Sequence, residues 1–188
     1  MYRIILMAVL GLGILNACGE SKPKPAEEEN NPIEEGRVSL EKEILALEKE
    51  LSSLPVGTTN RDKSFELIAK SEAYAASFPD HPTAPAQLFR AADVALGLGE
   101  AQLAVQHWGK IQKQYPDYER AGDAYFMIGF TYETQFNNLE QARRFYQQFL
   151  IRYPDHRLTD QVEKSLANLN KSPEELIKEF KQKDPPKQ

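Results

Sequence analysis

The sequence has few of the residues that support catalysis, disulfide bonds or metal binding. Its 188 residues contain one cysteine, Cys18, so no disulfide can form within the chain. No HExxH pattern, phosphate-binding loop or nucleophile elbow is present. These absences predict that the protein is not an enzyme and that it holds no cofactor and no metal ion.

Histidine is a second scarce metal ligand, with three copies in the chain. His81 and His156 occupy the same place in the related turns FPDH and YPDH, two repeat units apart. His107 stands beside Trp108 without another ligand at a useful spacing. We therefore interpret His81 and His156 as turn residues that do not share a metal.

The chain has no excess of positive charge. It carries 23 Lys and Arg residues against 28 Asp and Glu residues, a formal net charge of −5. Nucleic acids attract proteins with clustered positive charge. We therefore expect that nucleic acid is not a partner.

Long apolar stretches are missing as well. The main apolar run, from Ile4 to Leu15, spans about 12 residues, whereas a membrane-spanning helix needs about 20. Arg3 precedes the run, and a positive end followed by a short apolar segment is typical of a secretory signal peptide. Residues 1–17 are therefore predicted to be a signal peptide.

The end of this segment, Leu15-Asn16-Ala17-Cys18, resembles the lipobox of bacterial lipoproteins. The resemblance implies lipid attachment at Cys18, with a diacylglycerol and an N-acyl chain such as palmitate. Gly19 stands where an aspartate often retains such proteins in the inner membrane, so the resemblance implies an outer-membrane anchor. We expect the domain to face the periplasm, although the sequence leaves the surface-exposed face as an alternative. The alternatives are an ordinary signal peptide with a coincidental cysteine, and a catalytic thiol, which would need an electropositive niche.

A polar segment and an amphipathic stretch follow. Residues 18–38 begin with the cysteine that is expected to be acylated and are rich in Pro and Glu. They are predicted to be a disordered tether. Residues 39–54 are predicted to form an amphipathic helix with Ser39 as its N-cap. Its heptad spacing allows a coiled-coil dimer or trimer, but two heptads are short for that, and we favour a single helix that packs onto the domain. Whether residues 40–53 fill the groove of the domain stays open. The heptad residues are Leu40, Ile44, Leu47 and Leu51.

From residue 62 onward the sequence repeats itself. The turns FPDH, YPDY and YPDH place Pro79, Pro116 and Pro154 at intervals of 37 and 38 residues. Before each proline, a stripe of residues recurs at steps of 4, 3 and 4, which marks one face of an α-helix. After each proline, a second helix carries a small residue, such as Gly129, where another helix can approach closely. The pattern predicts an all-α solenoid of helical hairpins over residues 62–181, with a frayed tail at 182–188.

Further details locate the core and the last helix. Ser172 and Glu175 form a capping box, which predicts a short final helix. Five large aromatic residues in the segments before Pro116 and Pro154 are assigned to the core: Trp108, Tyr115, Tyr146, Phe149 and Tyr153.

The repeat units resemble the tetratricopeptide repeat. Two units carry the apolar and small positions of that family at Leu88, Ala91, Ala92, Ala95, Ala104, Trp108, Ile111 and Pro116, and at Tyr125, Ile128, Gly129, Tyr132, Ala142, Tyr146 and Pro154. The resemblance implies about three repeats with capping helices at both ends. The unit length and the YPD turn resemble a periplasmic branch of the family, which includes the assembly lipoprotein BamD and the C-terminal domain of the Tol-Pal cell-division coordinator.

The same resemblance implies a peptide-binding groove lined by the first helices of the units. Three phenylalanines would serve as apolar anchors, and the acids would fix the register of a basic or amide-rich peptide. The alternative is that these rings belong to the core. The groove candidates are Phe89, Asp93, Phe126, Phe130, Glu133, Lys164 and Asn168.

Together these features predict a non-catalytic scaffold that is anchored by lipid in the cell envelope and binds a protein or peptide partner. A subunit of an outer-membrane assembly or secretion machine is one more specific alternative, and a Tol-Pal-type division coordinator is the other. An oligomer is not favoured.

Overall fold

The computed structural model describes residues 31–169, 171–172, 174–175 and 178. The predicted signal peptide, Cys18, most of the predicted tether and the tail at 182–188 lie outside these residues. Within them the chain is all-α, which confirms the predicted fold class, and none of its helices is long and apolar enough to cross a bilayer. The helices are α1 (Pro32–Ser52), α2 (Arg61–Ser77), α3 (Ala84–Gly97), α4 (Ala101–Gln114), α5 (Ala121–Thr134), α6 (Leu139–Arg152) and α7 (Thr159–Asn168).

The helices stack as the hairpins α1–α2, α3–α4 and α5–α6, followed by α7, and each helix packs on the next one in the chain. Ion pairs link alternate helices: Arg90 of α3 pairs with Glu48 of α1, and Lys110 of α4 pairs with Glu72 of α2. The odd-numbered helices therefore form one layer and the even-numbered helices form the other.

Helix α1 begins at Pro32, seven residues before the predicted start, so its first turns occupy part of the segment that was predicted to be a tether. Proline is favourable in the first turn of a helix because its missing N–H would have no partner there. Glu34 and Glu35 face the positive end of the helix dipole. Arg37 then pairs with Glu34 and, at 2.6 Å, with Glu41. These ion pairs and the acidic first turn therefore support a helix that starts earlier than the spacing of its apolar residues predicts.

The apolar face of α1 packs onto α2 within the same chain. Ile44 and Leu47 are 2% and 8% exposed, and they join Leu67 and Tyr74 of α2 in one cluster. Leu40 and Leu51 pack at its edge. The predicted heptad face is therefore used to complete the first hairpin. Since α3 lies between α1 and α5, α1 does not lie over the groove candidates of α5.

The repeated Pro-Asp turns share one backbone geometry. The residues before the three prolines, Phe78, Tyr115 and Tyr153, have φ near −130° and ψ near 55° and cap their helices. Their N–H groups donate to carbonyls four residues earlier at 2.9, 2.8 and 2.8 Å. A residue before proline is pushed out of the helical region, which is why each helix ends there.

The interior of the solenoid depends on large rings facing small residues. Trp108, Tyr146 and Phe149 are 0% exposed, as predicted for the core, whereas Tyr115 and Tyr153 are only partly buried. A Cβ at Gly129 would lie 2.9 Å from Cε1 of Tyr146, so glycine allows α5 to approach α6 closely. The small residue predicted at this position is therefore confirmed as a packing requirement.

The end of the described chain also follows the sequence pattern. Val162 of α7 is 0% exposed, and Leu169 just after this helix is 5% exposed. The Glu175 N–H donates to Ser172 Oγ at 3.2 Å, and the Ser172 N–H donates to Glu175 Oε2 at 2.8 Å. These two bonds confirm the predicted capping box. Most of the helix that it was predicted to open lies outside the described residues.

Candidate functional site

The candidate groove lies on the layer formed by α3, α5 and α7. Of the three predicted phenylalanine anchors, Phe89 and Phe126 are 2% and 7% exposed, whereas Phe130 is 37% exposed. Phe89 packs edge-on against Trp108 at a ring-centre distance of 6.3 Å. Phe89 and Phe126 therefore contribute mainly to the core, and Phe130 alone of the three offers much of its ring to a ligand.

Phe130 is held in place by a stack of aromatic rings. Its ring centre lies 5.9 Å from that of Phe126, and Phe126 lies 6.1 Å from Tyr146, with interplanar angles of 28° and 24°. The Tyr146 hydroxyl donates to Glu133 Oε2 at 2.6 Å. Burial, followed by the bond to Glu133, raises the pKa of Tyr146. Because the stack already holds the ring of Phe130 in place, little side-chain freedom would be lost when a ligand binds. This pre-organisation suits an anchor.

A polar network lies beside this stack, and sequence reasoning missed its central residue, Asp123. The Asp123 carboxylate is buried and accepts a hydrogen bond from Arg157 Nη2 at 2.6 Å. Arg120 Nε and His156 Nε2 lie 3.4 and 3.5 Å from it. Asp123 stands one helical turn before Phe126, so the spacing of three residues was the signal that could have identified it.

Arg120, the residue that precedes α5, connects this network to α3. Its guanidinium lies 3.6 Å from the ring centre of Phe89, a cation–π contact that covers that ring. Asp93 of α3 is exposed, yet desolvation raises the pKa of its carboxyl. The positive charge of Arg120 opposes this rise and the negative charge of Asp123 adds to it. The charge of Arg120 thus acts on the carboxylates of both Asp93 and Asp123.

The remaining groove candidates lie on the last helix. Lys164 and Asn168 of α7 are exposed. Glu133, at the end of α5, is tied to Tyr146 and is partly buried. The structure therefore links Phe126, Phe130 and Glu133 through Tyr146, and among the described residues no side-chain hydrogen bond, ion pair or ring contact joins Lys164 or Asn168 to them. A binding role for any of these residues stays a prediction.

The histidines of the repeated turns make local contacts. Nδ1 of His81 lies 2.6 Å from Thr83 Oγ1 and 2.9 Å from the Tyr74 hydroxyl. Nδ1 of His156 accepts a hydrogen bond from the Leu158 N–H at 3.2 Å. In the part of the chain that the structure describes, no three His, Cys, Asp or Glu side chains gather as metal ligands.

The third histidine, His107, is buried in α4. It is 1% exposed, and neither ring nitrogen has a hydrogen-bond partner in the described structure. Burial lowers the pKa of His107, the charge of Glu72 opposes this, and Lys110 lowers it further. The fold therefore holds this imidazole in its neutral form.

The buried His107 predicts a loss of stability in acid. Because its pKa is lower in the folded chain, its contribution is fully present above the unfolded pKa of about 6.5 and is lost as the pH falls through the folded pKa. Urea unfolding at about pH 7.5 and about pH 5 should show a larger decrease in the free energy of unfolding for the native chain than for His107→Leu. Equal decreases would contradict this assignment.

The stacked hairpins define a helical-repeat protein of the type that serves as an interaction scaffold. The sequence model described as tetratricopeptide repeat matches residues 88–118 and 123–156. These segments hold most of α3 with α4, and of α5 with α6, so the chain contains tetratricopeptide repeats. No curated protein matches the sequence.

Proposed function

We propose that the protein is a non-catalytic scaffold of the envelope of a Gram-negative bacterium, anchored in the outer membrane through acyl chains on Cys18. Its repeat domain binds a segment of a partner protein along α3, α5 and α7. The observation that carries the binding role is the exposure of Phe130, 37%, on top of the ring stack with Phe126 and Tyr146.

The surroundings of Phe130 suit a peptide ligand. An apolar side chain of the partner would pack on the ring, while Asp93 of α3 and Arg120, which precedes α5, offer an acceptor and donors for polar groups elsewhere on the segment. Arg120 is already held over Phe89, so little side-chain entropy is lost when it binds a ligand. Helices and extended segments both present side chains at spacings that fit such a groove.

The experiment that tests this proposal uses a photo-crosslinking amino acid at position 130 in native membranes. Ile151 is the matched control, because it is also apolar and exposed, at 71%, but lies on α6 in the other layer. We expect a discrete crosslinked partner from position 130 and none of the same identity from position 151. A partner that crosslinks from position 151 and not from position 130 would contradict binding along the groove.

Once the partner is captured, Phe130→Ala should weaken its binding about thirtyfold or more, as expected for an aromatic hot spot of about 2 kcal/mol. Ile151→Ala should leave the affinity unchanged, and both variants should retain native helicity by circular dichroism. Unchanged affinity in Phe130→Ala would overturn the assignment.

The partner's class separates the two more specific functions. A subunit of an assembly or secretion machine would crosslink to a β-barrel membrane protein. A Tol-Pal-type division coordinator would instead crosslink to a periplasmic protein of a complex that spans the envelope.

A further inference from the structure

A cleft of about 840 Å³ lies between the Pro-Asp turn that joins α2 to α3 and the one that joins α4 to α5. Its inner residues include Ala75, Pro85 and Leu88, which are buried or nearly buried apolar groups. Asp80 and Asp117, one from each turn, line its outer part. The cleft is formed by the turns and by the helix ends beside them, and it is separate from the Phe130 surface.

The cleft exists because one side chain is missing from the repeat. In the following unit, Gln112 fills the equivalent space: its Nε2 donates to the Ala121 carbonyl, and its Oε1 accepts from the Tyr153 hydroxyl at 3.4 Å. Gln112 lies four residues before Pro116, and the residue four before Pro79 is Ala75. Alanine leaves open the volume that the glutamine side chain occupies one unit later.

The missing amide also leaves a hydroxyl without a partner. Tyr115 is the counterpart of Tyr153, and its buried hydroxyl oxygen makes no hydrogen bond in the described structure. Asp80 and Tyr115 both line the cleft, and burial, followed by the negative charge of Asp80, raises the pKa of Tyr115. A buried hydroxyl without a partner is unfavourable by about 1–3 kcal/mol. This unit thus lacks the two hydrogen bonds that the Gln112 amide makes in the next unit.

The charge of the cleft is negative. Glu72 pairs with Lys110 at its wall. Asp80 and Asp117 are exposed, and neither has an ion-pair partner among the described residues. A cationic side chain would find two carboxylates at the outer part of the cleft and an apolar floor beneath them. Lysine and arginine suit such a site because their stems cover apolar surface while their charged ends stay at the rim.

We propose that this cleft binds an extended, basic segment of a partner protein. The backbone amides of the segment occupy the space over Ala75, which Gln112 fills in the next unit, and a Lys or Arg side chain lies on Leu88 and pairs with Asp80 and Asp117. This second docking surface is independent of the Phe130 groove and does not rest on it.

The test measures binding of two labelled peptides to the full chain by fluorescence anisotropy. The probes are acetyl-(Lys-Pro)3-amide and acetyl-(Glu-Pro)3-amide, which share an extended backbone and differ in the sign of their charge. The lysine peptide should bind, and its affinity should fall as salt is added, because the carboxylates are exposed. Failure of the lysine peptide to bind, or equal binding of the glutamate peptide, would overturn the proposal.

Two variants locate the binding. Ala75→Gln introduces the side chain of the next unit, so it should weaken binding of the lysine peptide about tenfold while raising Tm by a few degrees. Asp80→Asn combined with Asp117→Asn should also weaken binding about tenfold, because it removes two surface charge contacts. Both asparagines replace exposed residues, so this variant remains informative if Ala75→Gln distorts the fold.

Two controls complete the test. Ala73→Gln makes the same change at an exposed position of α2 outside the cleft, and Phe130→Ala removes the groove anchor. Both should retain the affinity of the native chain for the lysine peptide. Loss of binding in Phe130→Ala, or full binding in Ala75→Gln and in the double asparagine variant, would show that the peptide binds elsewhere.

Discussion

Replacing Cys18 with serine is expected to move the protein from the outer-membrane fraction to the soluble fraction. One acyl chain binds a bilayer only marginally, whereas two or more anchor stably, so loss of the proposed acylation site should remove nearly all membrane affinity. The apolar run from Ile4 to Leu15 cannot replace the anchor as a spanning helix, because it is about 12 residues long where about 20 are needed. Cell fractionation after a high-salt wash measures the effect.

The matched control is Gly19→Asp, which keeps the thiol. It should remain in a membrane fraction, and by resemblance to bacterial lipoproteins it should shift towards the inner membrane. Mass spectrometry of the mature N-terminal peptide gives a second readout, since acylation adds the mass of the lipid to Cys18. An unmodified N-terminus, or a Cys18→Ser variant that is cleaved and still sediments with membranes, would overturn the anchor.

The second large effect is expected for Phe126→Ala. Phe126 is 7% exposed and lies between Phe130 and Tyr146 in the ring stack. Removing a buried phenylalanine ring leaves a cavity and costs about 3–5 kcal/mol, a large share of the stability of an ordinary domain. Urea unfolding followed by circular dichroism should therefore show a much lower midpoint with an unchanged slope.

Phe130→Ala is the natural comparison, because it makes the same chemical change four residues later on the same helix. Its ring is 37% exposed, so truncation should reduce the free energy of unfolding by about 1 kcal/mol. The pair thus separates stability from partner binding. Similar destabilisation by both variants would mean that Phe130 is as much a core residue as Phe126.

Much of the architecture could be predicted because it depends on local chemistry. The prolines end their helices through the geometry of the preceding residue, which recurs at Phe78, Tyr115 and Tyr153. The capping box of Ser172 and Glu175 requires only a spacing of three residues.

The start of α1 was harder to predict. Its first residues resemble a polar linker in composition, and the ion pairs of Arg37 with Glu34 and Glu41 contribute to stability only once the turn has formed. The sequence showed that Leu40 and Ile44 share a face with Leu47 and Leu51, but the surface that this face would contact was not visible from spacing. The pairing with α2 supplied it.

The candidate groove shows the same limit. Phe126 and Phe130 have the same residue type and lie on one helical face, yet their exposed fractions differ about fivefold, 7% against 37%. Periodicity defines the direction in which a side chain points, whereas its exposed fraction depends on which rings of other helices pack against it. Tyr146 of α6 accounts for this difference, since it packs on Phe126.

The sequence by itself determined the repeat, its helix ends and its packing stripe, because each of these follows from contacts within a few residues. Only the tertiary structure decided that Phe130 is the exposed ring of the aromatic stack, that Asp123 binds Arg157, and that Ala75 leaves a cleft where Gln112 closes the next unit. Each of these depends on residues brought together from separate parts of the chain. Burial and open volume are properties of that packing, and no single stretch of the chain contains them.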